Sequence, residues 1–569
     1  TIPVERDGTP FARVHVGADP LHVARELRST AIDIALVIGI ALLIAYEVLI
    51  LVTSATMRRP LAQFARITSR IAARDFKFQV SPAGPPVFSR ALEAANALVE
   101  RVNETARGVR ERLDRFAARR EVGDIDAHAA RVERFERRLG AIGRFSRTLE
   151  ESRLAATELI GVRGAAFLFV LAEELARPFL PIYFGQLTAD QPGLDPAMAI
   201  AIPISAFMLV TALAGPVVAA WSDRIGRRNT FAVGAFVSTA GLIGTAMAAG
   251  FADLLFWRSL SGLGYALSFV ACQGHVLDRT SQENRARGMS IFVGGILSAD
   301  ICGPAVGGIL ADQIGYSATL VCAGAVAVAA GALAMALMDN RRRGAAGQGS
   351  TVASLKVIGQ CWANHRFAGV VLIASIPAKM LLTGFLFYLA PLMLIDLGAD
   401  ASEIGRMTMV YGLSALLFMP LFASLSDRLD AHGLMVGLGA LISGWGLIPL
   451  VFGASQIGIA GAILALGVGH AMSIPSQTAL VTHVARAEIA AHGPGPVLGA
   501  FRLAERLGSA IGPIVAAQLA ATHGYVGTAT IFGFAAAALG VAFSALFLSV
   551  GTDPEADPLL VDATEGGRT

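Results

Sequence analysis

Hydrophobic and polar positions alternate on two scales along this chain. Near its start, FARVHVGADP alternates apolar and polar residues one by one, which predicts a strand ending in a turn. Residues 31–53, AIDIALVIGIALLIAYEVLILVT, then form an apolar run long enough to cross a bilayer. From there to residue 160 the chain is polar, and its apolar positions recur at helical spacing. Phe64, Ile67 and Ile71 follow MRRP, where Pro60 falls in a first helical turn. Leu92, Ala95, Val99, Val102, Ala106, Val109, Leu113 and Phe116 follow the helix-breaking SPAGPP and step by three and four, a heptad seam. Residues 117–154 read as a charged linker helix, with Phe135, Leu139, Ile142, Phe145 and Leu149 along one face.

From Gly161 onward, long apolar runs succeed one another at 163–187, 197–221, 230–250, 254–276, 288–311 and 317–338. After a polar gap they resume at 367–395, 403–425, 433–453, 456–480, 496–520 and 526–549. They predict twelve membrane helices in two groups of six.

Composition agrees with the pattern. The 569 residues are 54% hydrophobic and 16% charged, where a soluble domain carries about a quarter. The fold class expected is an all-α membrane protein in contact with the lipid bilayer. A net charge of +3 gives no ground for a nucleic-acid partner. Cys272, Cys302, Cys322 and Cys361 lie mostly in apolar runs without metal spacing and read as small core residues. No metal site and no cofactor are expected. No phosphate-cradling loop appears, which weighs against ATP-driven transport. The first residue is Thr and no signal peptide is visible, so something upstream is expected to be missing.

Basic residues set the orientation. If the first helix of the twelve starts inside, the inside loops collect Arg224, Arg227, Arg228, Arg279, Arg285, Arg287, Arg341, Arg342, Arg343, Lys356, Arg366, Arg428 and Arg486. Outside loops such as TADQPGLDP and ADQIGYS hold neither Lys nor Arg. By the positive-inside rule the C-terminus is cytoplasmic. Arg58 and Arg59 place residues 57–160 in the cytoplasm and residues 1–29 outside.

The two groups share landmarks. Ser-Asp-Arg recurs as Asp223-Arg224 after the second helix and Asp427-Arg428 after the eighth. Gln273 answers Gln477, and Gly303-Pro304 answers Gly512-Pro513. Such halves place a substrate site near the midplane at their interface, opened to each side in turn.

These residues carry a family resemblance. SDRIGRR (Asp223, Arg224, Gly226, Arg227, Arg228) is similar to the signature loop between the second and third helices of the major facilitator superfamily. RSLSGLG (Arg258, Gly262, Gly264) resembles its fourth-helix motif, and GPAVGG (Gly303, Pro304, Gly307, Gly308) the fifth-helix motif typical of its antiporters. Ala219 and Ala299 stand where the motifs have glycine, and SDRLDAHG has Asp430 at the glycine position. The resemblance implies two six-helix bundles over 161–338 and 367–550, a central cytoplasmic loop at 339–366 and a disordered cytoplasmic tail at 551–569. It also implies a proton-relay role for Arg258. At the other end, a membrane helix at 30–54 followed by two amphipathic helices resembles a HAMP signalling domain at 55–108. Residues 109–160 serve as linker, and 1–29 resemble the end of a Cache-like extracytoplasmic sensor. HAMP modules act as parallel dimers, so the resemblance implies a homodimer, and both modules imply a bacterial inner membrane.

Charges within the apolar runs mark candidate chemistry, because a charge at mid-bilayer costs about 3 kcal/mol or more. Glu173 and Glu174, one turn from Arg177 and followed by Pro178 and Pro181, can share a proton or bind a cation; a structural ion pair is the plainer reading. Asp300 is a candidate proton carrier or substrate contact. Lys379 can meet Asp300 or a glutamate across the interface. Arg502, Glu505 and Arg506 form an i, i+3, i+4 set suited to a gate. Asp223, Arg224, Arg227 and Arg228, with Asp427 and Arg428, suit a charged latch between the halves, although loop anchoring alone would account for Arg227 and Arg228. His470 reads as a hydrogen-bonded core residue, and Glu47 has no assigned role. The function expected is secondary, proton-coupled efflux of a small solute, with no enzymatic activity, regulated from outside through the HAMP-like part. The alternative is a receptor whose transporter fold binds ligand without moving it.

Overall fold

The computed structural model describes residues 2–6, 9–14, 20–53, 59–79, 86–118, 134, 137, 150–151, 158–189, 193, 195–280, 285–338 and 355–547. The linker helix expected at 117–154, apart from its first residues and four isolated positions, lies outside the described residues. So do most of the central loop and the whole C-terminal tail. The chain divides into two units, Thr1–Glu47 and Val48–Thr569.

The first unit holds strand β1 (Ile2–Arg6) paired antiparallel with β2 (Thr9–Val14), with a bulge between Val4 and Glu5. The alternation in FARV is thus a strand, as expected. Helix α1 (Pro20–Thr53) contains the apolar stretch Ile34–Ile50.

In the second unit, α2 (Arg59–Ala72) and α3 (Pro86–Ala118) form a small amphipathic pair. Ile67, Leu92 and Val99 are its buried contacts, with Ile71, Phe76 and Ala95 around them. The Asn103 amide donates to the carbonyls of Phe76 (2.6 Å) and Val99 (2.9 Å), which ties the connector to α3.

The rest is a two-lobed helical body. The first lobe comprises α4 (Glu158–Glu174), α5 (Leu180–Thr188), α6 (Pro196–Ile225), α7 (Arg227–Ala246), α8 (Phe251–Arg279), α9 (Arg285–Ile314) and α10 (Tyr316–Leu337). The second begins with the short α11 (Leu355–Ala363). It continues with α12 (His365–Asp396), α13 (Ala401–Leu429), α14 (His432–Phe452), α15 (Gln456–Val484), the short α16 (Arg486–His492) and α17 (Pro494–Phe547). Ten of the described helices are long and apolar enough to cross a membrane. The difference from the expected twelve runs is a matter of breaks. The first run is split into α4 and α5. The last two form the single 54-residue α17, bent where Gly524 adopts φ 70°.

Prolines explain the first break. Pro178 offers no N–H and its ring crowds the preceding turn, so residues 175–179 run as turns, and α5 restarts with Pro181 in its first turn. The exposed backbone of this break is received by α9. A Cβ at Gly303 would strike Glu174, and one at Gly307 would strike the Leu175 carbonyl. Gly308, from the same run, lies against the Ala401 carbonyl of α13, and Gly405 of α13 against that of Pro304. The second lobe repeats the arrangement: Gly512 of α17 lies against Met380 of α12, 2.6 Å from its carbonyl as a Cβ would sit. Small residues thus let backbones meet where lipid gives no hydrophobic drive for association.

The lobes meet along α9–α13 and α6–α17. One buried cluster joins them, running from Phe179, Phe184 and Ile200 to Phe385, Tyr388 and Ile404. It lies at the end away from the Asp-Arg loops, hereafter the far end.

Gly307→Val should lower the stability of the purified protein by about 1–3 kcal/mol through overpacking against backbone, seen as a lower thermal midpoint. Gly461→Ala, where nothing lies within 4 Å, should leave the midpoint unchanged.

Candidate functional site

Glu173 and Glu174 end α4, at the break that Pro178 creates, and they diverge. Glu173 faces α7 and α8: its Oε1 accepts from Ser238 Oγ at 3.1 Å, and its Oε2 lies 3.7 Å from Arg258 Nη1. Glu174 faces α9. Its Oε1 is 2.6 Å from Arg177 Nη1, and its carboxyl lies beside that of Asp300. Two carboxyl groups held this close repel each other when both are ionised. Burial enforces the arrangement. Glu173, Glu174 and Arg258 are each under 5% exposed, and an unpaired charge there would be strongly destabilising.

Motif glycines bring the fourth helix into place. A Cβ on Gly262 would sit 2.5 Å from the Phe207 carbonyl, and one on Gly264 would strike Ser238. The resulting close packing sets Arg258 over the Phe207 ring at 4.6 Å. From the second lobe, Phe387 closes over Arg177 at 4.3 Å. Glu173, Arg177, Arg258, Phe207 and Phe387 line one cavity of about 20 Å³. Nε and Nη1 of Arg258 have no hydrogen-bond partner among the described residues.

Lys379 does not reach Asp300 or a glutamate of the first lobe. It sits in a short α-helical piece of α12, flanked by π-helical turns at Val370–Ser375 and Leu382–Leu389. Its Nζ lies 3.9 Å from Glu505 Oε1 within its own lobe. Glu505 also accepts from Arg502 at 2.9 Å. Arg506 is the member of that set that crosses between lobes: its Nη1 donates to the Thr211 carbonyl at 3.0 Å, and its guanidinium lies 5.4 Å from the Phe269 ring. His470 Nδ1 lies 3.2 Å from the Tyr411 hydroxyl, while its Nε2 has no partner among the described residues.

The Asp-Arg loops differ from the expected latch between halves. Arg227, which loop anchoring alone would explain, is buried and bridges two aspartates of its own lobe: it pairs with Asp223 and, through Nε at 2.9 Å, with Asp278 at the end of α8. Gly274 leaves the room its guanidinium fills. Arg224 is exposed and Arg228 partly buried, as are their loop's surroundings. Asp427 and Arg428 are both exposed. Gly226 (φ 95°) and Asp430 (φ 46°) hold the same turn position with positive φ, so the aspartate takes the left-handed conformation that glycine adopts freely.

A bond that the sequence reading missed lies at the far end. Asp312 of α9 accepts from the backbone N–H of Ala401 (3.1 Å) and Ser402 (2.7 Å) and from the Ser402 hydroxyl, capping α13 of the other lobe. Tyr388 Oη donates to the Ala197 carbonyl at 3.0 Å, again between lobes. Asp312 stands in ADQIGYS, a loop notable in the sequence only for lacking basic residues.

The model of the Major Facilitator Superfamily matches residues 164–496. The chain is 24% identical over 375 residues to the multidrug resistance protein MdtG of Salmonella typhimurium strain LT2, covering 64% of this chain and 87% of that one. It is 23% identical over 357 residues to the multi-drug resistance efflux pump PmrA homolog of Lactococcus lactis, covering 62% and 84%. Among solved structures it resembles a bacterial homolog of the human lysosomal transporter Spinster in an inward-facing and unoccupied conformation. That match has a TM-score of 0.57 and 15% identity, and covers 71% of this chain and all of that one. It also resembles the peptide transporter POT in complex with sulfate (TM-score 0.56, 16% identity, 69% and 95% covered).

Asp312→Ala should remove a helix cap, worth about 0.5–2 kcal/mol, and loosen the far end. Spin labels at Gln313→Cys and Leu397→Cys should then report longer and broader distances than in the parent. An unchanged distribution would show that the cap does not hold the lobes together.

Proposed function

The chain belongs to the Major Facilitator Superfamily, and on that premise we propose that it is a secondary exporter of small amphiphilic solutes, driven by protons through the Glu174–Asp300 pair. The observation that carries this reading is the juxtaposition of two buried carboxyl groups beside Arg177, close to a cavity that both lobes line. Such a pair takes up a second proton and loses its hold on the arginine; losing its shared proton, it repels itself. Either change alters what Arg177 holds, and Arg177 touches Phe387 of the other lobe. Loading with a proton is thereby coupled to the lobe interface. The efflux relatives support the direction of transport. Arg258 relays between the cavity and Glu173, and Lys379, Glu505 and Arg506 steady the second lobe's side of the path.

The Asp-Arg loops face the cytoplasm, in keeping with the basic residues there, so the joined far end faces outward and the conformation is open inward. Asp223, Arg227 and Asp278 hold the first lobe's cytoplasmic rim as one piece. Asp427 and Arg428, exposed here, meet that rim when the cytoplasmic side closes. Residues 31–53 cross the membrane. The α2–α3 pair acts as a HAMP-like relay from an outside sensor and dimerises in doing so; the packed apolar seam between α2 and α3 supports the likeness to a HAMP helix pair.

In proteoliposomes, Glu174→Gln and Asp300→Asn should each reduce flux driven by a pH gradient at least about tenfold, a loss of about 1.4 kcal/mol or more of coupling. Exchange of labelled for unlabelled solute without a gradient should persist. Unchanged gradient-driven flux would overturn the assignment, and a protein that binds solute with no flux under any gradient would be a receptor instead. Deleting residues 1–110 should change the rate at a given gradient but leave the dependence on the gradient intact. A deletion without effect would reduce this part to a tether.

A further inference from the structure

Proton coupling accounts for Glu174 and Asp300 but leaves Arg258 over-provided. Its charge is balanced by Glu173, yet at 3.7 Å that contact is too long for a hydrogen bond. Two of its nitrogens, in a side chain only 4% exposed, have no partner among the described residues. Idle buried donors carry a desolvation penalty, and a native fold keeps them where something else supplies the acceptor. The side chain that carries them borders the cavity that Arg177 also lines, whose walls Phe207 and Phe387 offer aromatic faces. A volume of about 20 Å³ admits one water-sized group, such as the leading oxygen of a larger molecule.

The charges around this point favour one sign. In the first lobe Glu173, Glu174 and Asp300 stand against Arg177 and Arg258. Across the interface Lys379, Arg502 and Arg506 face a single buried carboxylate, Glu505. Five cations against four carboxylates leave the path a surplus of positive charge even with every carboxyl ionised. A guanidinium with idle donors is matched in charge and hydrogen-bonding by an oxyanion such as a carboxylate, which offers acceptors and no donor.

We propose that this cavity receives the head group of the transported solute, and that the head group is an oxyanion, above all a carboxylate carried on an aromatic body. The proposal rests on the reading of the cleft as the transport site, but not on proton coupling. A membrane potential negative inside assists the exit of such a solute.

Equilibrium binding to the purified full chain tests it without any gradient, using three probes of one shape: 2-naphthoate, 2-naphthamide and 2-naphthylmethylammonium. The carboxylate should bind at least tenfold more tightly than either other probe. Arg258→Gln should remove that preference, with carboxylate binding falling more than naphthamide binding, and Arg258→Lys should restore part of it. A thermal midpoint close to that of the parent shows that each variant is folded. Phe207→Ala should weaken the carboxylate and the amide alike. The proposal is overturned if the ammonium probe binds as well as the carboxylate, if no carboxylate binding is found, or if Arg258→Gln leaves the preference intact. Loss of gradient-driven flux in Glu174→Gln concerns the transport reading alone, so the two failures are distinguishable.

Discussion

A charge placed among packed apolar helices must find its counter-charge or its proton inside the protein. That constraint organises this molecule. Glu173, Glu174 and Glu505 are each answered by an arginine or a lysine, and Asp300 lies beside Glu174 and its arginine. The fold is shaped to let this happen. Pro178 breaks the first membrane segment one turn beyond the two glutamates. The glycines of α9 accept the exposed backbone and bring Asp300 within reach of Glu174. Side chains in place of the glycines would hold α9 away from the break and Asp300 away from Glu174.

The two lobes share a plan and differ in chemistry. Gly303 meets Glu174 as Gly512 meets Met380, so Lys379 stands near the place that Glu173 holds in the first lobe. A duplicated scaffold with opposite charges in equivalent places turns a symmetric cleft into an asymmetric one. The turn after the second helix of each lobe shows the same drift. One uses glycine and a buried arginine between two aspartates; the other holds Asp430 in a left-handed conformation, with Ser426 bound to His432 at 2.7 Å.

Hydropathy made most of the fold legible. Apolar runs located the membrane helices to within a few residues, and the prolines foretold the weak point of the first. The repeat of Ser-Asp-Arg and Gly-Pro landmarks identified the halves. Pairing was not legible. Nothing local to Lys379 says that Glu505 of α17 meets it rather than Asp300, because partner choice depends on helix rotation and crossing, which side-chain periodicity leaves loose. The sequence leaves Arg227 between a latch and a loop anchor because Asp278, its second partner, lies a whole hairpin away. Asp312 went unnoticed because a cap on a helix of the other lobe leaves no spacing signature. Aromatic partners such as Phe387 were invisible among many similar residues.

The central claim is that a proton sits between Glu174 and Asp300 in the resting protein. Infrared difference spectroscopy of the reconstituted protein, with glutamate or aspartate isotopically labelled, observes it directly. The account predicts a protonated-carboxyl stretch at neutral pH that shifts on labelling and vanishes in Asp300→Asn. Two fully ionised carboxylates at neutral pH, with no such band, would contradict it.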